Sequence, residues 1–333
     1  MAKNKMKDFV PRVSVVMPCY NEAKFIKASI DSLVDGYFLK NCELIVVDGM
    51  SSDGTLEEVQ SLPKQELQLR ILKNKKRVQA YGLNMGISEA MGEIIARVDV
   101  HCIYPPGYIK NCVGLLETTG ASNVGGSMLP KGTSVVQKAI ALAMQHPVGV
   151  GNAKFHLGNF NGYVDTVYLG TFWKKLFDKI GLYDVNAHPN EDAELNLRIL
   201  KVKEKIYLDS SIKVIYFPRE SLKKLAVQYF KYGKGRCYTT LKHRKMTSFR
   251  QIAPVILTIG IFISIMVSFW QPIFLFFPVS NFFILLVTAL LSRHKQAAPI
   301  KLRILTGLVF FIMHISWGIG FLSGLIHQKN PNE

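Results

Sequence analysis

Between Gln251 and Ser292 the sequence has no Asp, Glu, Lys or Arg, and a second such gap runs from Ile304 to Gln328. A helix on the surface of a soluble core needs a polar face, so stretches this bare exclude that role and predict membrane insertion. The first stretch is too long for one crossing, because about 20 helical residues traverse the hydrocarbon layer. Gln271-Pro272 divides it, since proline cannot donate a helical hydrogen bond. Three spans are therefore expected, at 252–270, 273–292 and 304–326. Cysteine is also scarce. Five residues (19, 42, 102, 112, 237) without CxxC spacing exclude a zinc ribbon or a disulfide framework and suit a reducing compartment. Phosphate-cradling glycine loops are missing as well. Neither GxxxxGK[ST] nor a GxGxxG after the first strand occurs, which excludes a P-loop enzyme and a dinucleotide dehydrogenase.

Acidic residues are few, 24 against 41 Lys and Arg, for a net charge of +17. The excess is local: 14 Lys or Arg lie within 201–250 against Glu204, Asp209 and Glu220. Placed directly before the first span, that charge fits anionic lipid headgroups. No helix-turn-helix or stacking-aromatic pattern accompanies it, so nucleic acid is not expected as a partner. Arg293, Lys295, Lys301 and Arg303 lie between spans two and three, while the Gln271-Pro272 turn is uncharged. Basic loops stay in the cytoplasm, so the expectation is a multi-pass protein of the inner or plasma membrane with its N-terminal domain cytoplasmic. The N-terminus is charged and lacks a secretory h-region, so no signal peptide is expected. The predicted layout is a domain over 1–220, a basic amphipathic interfacial helix region over 221–250, and a membrane domain over 251–333.

In the first part, short β-rich runs alternate with helical periodicity. Strands are expected at 13–17, 43–47, 69–72 and 94–98, with helices after Asn21, a candidate N-cap, after Gly54 and over 78–91. This alternation predicts an α/β fold with a Rossmann-like, mostly parallel sheet, whose ligands bind beyond the carboxyl ends of the strands. Tyr20, Asp48 and Asp99 fall at those ends. Further strands are expected at 121–128, 165–170 and 212–217, and a helix at 191–202. Asp53 reads as a cap for the helix near Gly54.

Without a glycine cradle, pyrophosphate must be neutralised otherwise, and a divalent metal is the usual substitute. Asp99-Val100-His101 offers a carboxylate and an imidazole one residue apart, a donor pair compatible with Mn²⁺ or Mg²⁺. Arg77 is a candidate partner for a diphosphate, although Lys73, Lys75 and Lys76 make a solvated basic loop an equal reading. Glu191 and Asp192 begin a helix, where the dipole favours acids irrespective of function. His314, inside the third span, reads as a neutral histidine packed between helices.

Four segments in order, Val15-Val-Met-Pro18-Cys-Tyr20-Asn21-Glu22, Val46-Val-Asp48-Gly-Met-Ser-Ser-Asp53-Gly54-Thr55, Asp99-Val-His101 and Asn190-Glu191-Asp192-Ala-Glu194-Leu, resemble the motifs of family 2 inverting glycosyltransferases of the GT-A fold. The subgroup most similar contains succinoglycan-type exopolysaccharide glucosyltransferases, and trailing membrane spans are typical of it. The resemblance implies that Pro18, Tyr20 and Glu22 line a nucleoside pocket and that Asp48 contacts base or ribose. It implies Asp99 at ribose and metal, His101 at the second acidic position of the usual DxD, and Asp192 as general base. The Q/RxxRW signature is only echoed by Gln228 and Arg236, which weakens a processive-synthase reading. The expected reaction moves a sugar from a nucleotide diphosphate sugar, a UDP-sugar by expectation, to a lipid-linked saccharide in exopolysaccharide- or capsule-type synthesis. The alternatives are transfer to polyprenyl phosphate itself and a non-catalytic membrane scaffold, against which Asp48, Asp99 and Asp192 together argue.

Overall fold

A computed structural model describes residues 10–63, 67–244, 251–292 and 298–327. In chain order the elements begin β1 (Val13–Cys19), α1 (Ala23–Leu33), α2 (Gly36–Asn41), β2 (Cys42–Asp48), α3 (Thr55–Gln60), β3 (Gln68–Lys73), α4 (Gln79–Glu89) and β4 (Ile94–Arg97). They continue with β5 (Cys102–Ile103), α5 (Tyr108–Thr119), β6 (Asn123–Pro130), α6 (Val135–Met144), α7 (Pro147–Val150) and α8 (Lys154–Leu157). Next come β7 (Asn161–Tyr163), β8 (Tyr168–Trp173), α9 (Lys175–Ile180), α10 (Glu191–Lys201) and β9 (Ile206–Tyr216). The chain ends in α11 (Leu222–His243), α12 (Ala253–Ser268), a 3₁₀ turn at Pro272–Leu275, α13 (Phe276–Leu291) and α14 (Ile300–His327). Two compact units result, one of residues 1–129 and 158–216, the other of 130–157 and 217–333.

The first unit is a mixed sheet in the order β3-β2-β1-β4-β8-β6-β9-β5, with β7 beside β9. Its first four strands are parallel, as the strand–helix alternation predicts. From β8 onward the recorded pairs are antiparallel, so the parallel character stops at β4. β1 and β2 are buried along almost their whole length, which is why they read as unbroken apolar runs rather than alternating ones. Helix α4 lies on β1 at Gly86, where a Cβ would come 2.3 Å from Val16 Cγ1, so only glycine allows the approach. Two caps differ from expectation. Asn21 is not the N-cap of α1, which is Glu22; its side chain accepts from Ser52 N at 2.9 Å instead. Gly54 is the N-cap of α3, while Asp53 accepts from Thr55 N and from Ala23 N, both at 3.1 Å, tying two helix starts together.

The second unit is built on α14. Its 28 residues and the 20 residues of Pro272–Leu291 are long and apolar enough to cross a membrane, whereas α12, at 16 residues, is shorter than the expected first span. Only 11% of the 272–291 window is buried against protein, compared with 44% for α14, so the former is not a buried core helix of this chain. Phe269, Trp270, Ile273 and Phe276 around the turn are each more than 70% exposed. Helix α11 crosses α14 through glycines: a Cβ on Gly233 would sit 2.0 Å from Trp317 O, and one on Gly320 2.0 Å from Phe230 O. Such contacts let two backbones meet closely, as small residues do between membrane helices. His314 packs between elements as expected, its Nε2 2.8 Å from Val148 O. Of the expected basic loop, Arg293 and Lys295 lie outside the described residues, as do 245–250 and the tail after His327.

Candidate active site

The candidate site lies within the first unit, where the carboxyl ends of β1, β2 and β4 meet the start of α10. Because these strands are parallel neighbours, the residues after them emerge on one edge of the sheet. Pro18 sits near the end of β1, its Cβ 3.4 Å from where a Cβ on Gly82 would lie. Tyr20 follows, 43% exposed, with the Arg77 guanidinium 5.6 Å from its ring centroid. Arg77 has φ +57°, a conformation that non-glycine residues rarely adopt. Gly49 permits this arrangement, since a Cβ there would meet Tyr20 Cβ at 3.1 Å and Cys19 O at 3.2 Å.

Asp48 is fully buried. Its Oδ2 accepts from Met50 N at 3.0 Å and Ser51 N at 3.1 Å, so the carboxylate closes the turn after β2. Burial, reinforced by the Asp48 charge, pushes the adjacent Cys19 thiol far above its ordinary value and keeps it neutral. Expected at base or ribose, Asp48 thus has its carboxylate engaged by its own loop.

The loop after β4 is pinned from behind. Tyr104 Oη accepts from Asp99 N at 2.7 Å and donates to Asp99 O at 2.9 Å, and Ser29 Oγ donates to the same carbonyl at 3.3 Å. With its backbone fixed, Asp99 projects a quarter-exposed carboxylate that accepts from Gln79 Nε2 at 3.1 Å. His101, beside the Phe25 ring, places Nε2 2.8 Å from Glu22 Oε1. Glu22 therefore reaches the histidine.

Asp192 lies in the first turn of α10 with its side chain 45% exposed. What ties it to the strand edge is Arg97, the last residue of β4, whose side chain is 5% exposed. Its Nη1 pairs with Asp192 Oδ1, while Nη2 lies 3.6 Å from Asp99 Oδ1 and 4.0 Å from Glu191 Oε1. Burial disfavours the guanidinium charge, but Asp99, Tyr183 and Glu191 outweigh it and hold the group protonated. Glu191 is itself buried, which opposes its ionisation. The His188 hydrogen bond and the Arg97 charge prevail, leaving its carboxyl below the usual range. The start of α10 is held by Arg198, which donates to Glu194 at 2.8 Å and to Leu182 O at 2.7 Å. Asn84 of α4 fixes Tyr183 from the other side, accepting from its N–H at 2.9 Å and donating to its carbonyl at 2.8 Å.

Sequence reading names Asp99, His101 and Asp192, of which the structure brings Asp99 and Asp192 to one guanidinium; it does not name Arg97, Gln79, Asn84 or Arg198, which contact or orient this edge. A signal for Arg97 exists: it is the one charge in Ile94-Ile-Ala-Arg-Val98, and a charge in a buried strand requires partners.

Among the described residues no group of three His, Cys, Asp or Glu is arranged to hold an ion. Asp99 and His101 provide two donors, so an ion here would complete its shell with diphosphate oxygens and water, as Mg²⁺ habitually does. Glu22 against Nε2 leaves Nδ1 as the remaining ring donor. A carboxylate behind an imidazole is the arrangement that fixes tautomer and ring orientation in metal-binding histidines. By donor type, one carboxylate and one imidazole are compatible with a divalent cation.

Residues 14–181 match the glycosyl transferase family 2 domain. The succinoglycan biosynthesis protein ExoA of Rhizobium meliloti (strain 1021) is 30% identical over 324 residues, covering 94% of each chain. The dolichyl N-acetyl-α-D-glucosaminyl phosphate 3-β-D-2,3-diacetamido-2,3-dideoxy-β-D-glucuronosyltransferase of Methanococcus voltae is 27% identical, covering 67% of this chain and 72% of that one. In fold, the mannosyltransferase PcManGT from Pyrobaculum calidifontis, solved with GDP-Man and Mn²⁺, superposes with a TM-score of 0.61 at 17% identity, covering 97% of this chain and 89% of that one. A GT-A sheet, a matching domain and a relative similar over nearly its full length lead to one conclusion: the chain belongs to glycosyl transferase family 2 and is a glycosyltransferase.

Proposed function

We propose that the protein transfers one sugar, with inversion, from a nucleotide diphosphate sugar to a lipid-linked saccharide at the cytoplasmic face of a membrane, in exopolysaccharide- or capsule-type synthesis. The observation that carries this reading is the meeting of Asp99 and Asp192, 93 residues apart in sequence, on the single buried cation of Arg97. Similarity to an exopolysaccharide-biosynthesis protein and to a transferase acting on a dolichyl-linked sugar supports the choice of acceptor class.

In this reading Asp192 accepts the proton of the acceptor hydroxyl as its oxygen attacks the anomeric carbon. The bond to the diphosphate oxygen breaks, the nucleoside diphosphate leaves, and attack from the opposite face gives a β-linkage from an α-linked donor. Such base catalysis contributes about 10²–10⁴-fold. Tyr20, with Pro18 beside it, presents an exposed ring for the nucleobase, and the donor expected is a UDP-sugar. Asp99 and His101 would hold Mn²⁺ or Mg²⁺, which neutralises charge developing on the leaving diphosphate. Arg77, its guanidinium 5.6 Å from the Tyr20 ring centroid, adds a second cation on that side. Asp48 supports the pocket by shaping the turn beneath Tyr20. The apolar turn between α12 and α13 and the basic stretch over 201–250 suit a bilayer and its anionic surface.

A donor screen on the detergent-solubilised full chain tests the proposal by following nucleoside diphosphate release with Mn²⁺, Mg²⁺ or EDTA. The expected result is metal-dependent turnover of one UDP-sugar in the presence of a polyprenyl-diphosphate-linked saccharide. Turnover with polyprenyl phosphate alone would move the acceptor to the bare lipid phosphate, and no release with any donor and metal would overturn the reading.

A further inference from the structure

Arg97 does more than neutralise a buried acid. One carboxylate would suffice for that, and Glu191, with its side chain 3% exposed, is already adjacent. The guanidinium instead also reaches two side chains that face solvent, Asp99 at 26% exposure and Asp192 at 45%, from separate elements. Nη1 serves Asp192, and Nη2 lies toward Asp99 and Glu191. These are ion-pair contacts, those at 3.6 and 4.0 Å longer than hydrogen bonds, and the planar guanidinium fork presents separate nitrogens to the two exposed acids where a lysine has a single ammonium. The side chain is itself confined: it leaves a strand registered on both sides, and the ring of Tyr183, a residue whose backbone Asn84 holds at both N–H and carbonyl, lies 5.9 Å from it.

We infer that Arg97 is a positioning residue of the transfer reaction, fixing the distance between the donor-side carboxylate Asp99 and the acceptor-side carboxylate Asp192. The inference rests on the transfer proposed above, in which those two acids act on opposite partners. Catalysis is sensitive to their separation, because a displacement of about 1 Å between reacting groups costs on the order of 10²-fold in rate. Neither acid needs Arg97 in order to be present; both need it to be in register.

The test compares wild type, Arg97→Gln and Arg97→Lys as full chains in detergent. Donor probes are UDP-glucose, UDP-N-acetylglucosamine and GDP-mannose with Mn²⁺, and UDP binding counts intact sites. Expected for Arg97→Gln is a fall of about 10² in kcat per UDP site, with donor KM and UDP affinity within about threefold of wild type. Arg97→Lys keeps the charge without the fork and is expected to recover about tenfold of that loss. Should Arg97→Gln retain no UDP sites, Arg97→Lys is read by itself: about a tenfold lower kcat per site at unchanged KM supports the inference, and an unchanged kcat overturns it. Activity that falls only in proportion to lost UDP sites, with kcat per site preserved, also overturns it, since that is a purely structural role. A wild-type chain that turns over no donor removes the transfer reading and this inference with it; an active wild type with an equally active Arg97→Gln removes this inference alone.

Discussion

The turn after β2 and the edge around Arg97 both present carboxylates beyond the ends of parallel strands, yet they differ in what those carboxylates face. Asp48 is fully buried and accepts from the amides of Met50 and Ser51. Asp99 and Asp192 remain partly exposed, and the charged partner they share is a side chain from β4. An acid engaged by its own loop maintains the shape of a pocket, whereas an acid held by a separate cation stays free to meet a substrate. Position at a strand end does not distinguish the two.

The largest effect separating these regions is expected at Asp192. Asp192→Asn should lower kcat by about 10²–10⁴-fold while UDP binding and melting temperature stay near wild type. A comparable kcat with the wild type would remove the base assignment and merge the two regions into one structural class. Next is the pair behind the metal position. Glu22→Gln should weaken Mn²⁺ binding by about 10–100-fold, measured by titrating free Mn²⁺ by electron paramagnetic resonance, because the imidazole loses the carboxylate that orients it. Asp48→Ala should act on stability, costing about 1–3 kcal/mol in denaturant unfolding as buried amides lose their acceptor. Its kcat per folded site should change far less than that of Asp192→Asn.

The smallest effect concerns Glu191. Its carboxyl lies below the ordinary value of 4.5 in the folded chain, so it binds a proton less readily there than when unfolded. Its stabilising contribution is complete above that ordinary value and is lost as pH falls through the lower folded one. The melting-temperature gap between wild type and Glu191→Gln should accordingly be widest near neutral pH and close as the pH drops below about 4.

Much of the parallel half of the sheet was legible because β1, β2 and β4 are short apolar runs followed by turn residues, and those signals are local. The antiparallel half was not. Whether β8 returns beside β4 depends on pairings such as Ile95 with Phe172, between residues distant in the chain, and no periodicity encodes them. The candidate site divides the same way. Asp99 and His101 share a motif and could be read together, while the link from β4 to α10 through Arg97 appears only once the strand is buried and its charge must find partners. Caps were misassigned by one residue, since Asn21, Glu22, Asp53 and Gly54 all have side chains or backbones able to begin a helix, and tertiary contacts between α1 and α3 decide among them. In the second unit, the charge gaps were read as three spans, and two helices there are long and apolar enough to cross a membrane while α12 is shorter; the glycine contacts joining α11 to α14 followed from no spacing considered in the sequence.

The most direct test is a structure of the full chain with UDP and Mn²⁺. The account predicts the ion against Asp99 and His101, bridging the diphosphate, with the base beside Tyr20 and Asp192 still paired to Arg97 on the facing side of the sugar position. A nucleotide bound elsewhere, or Asp192 turned away from it with the Arg97 pairing absent, would contradict it.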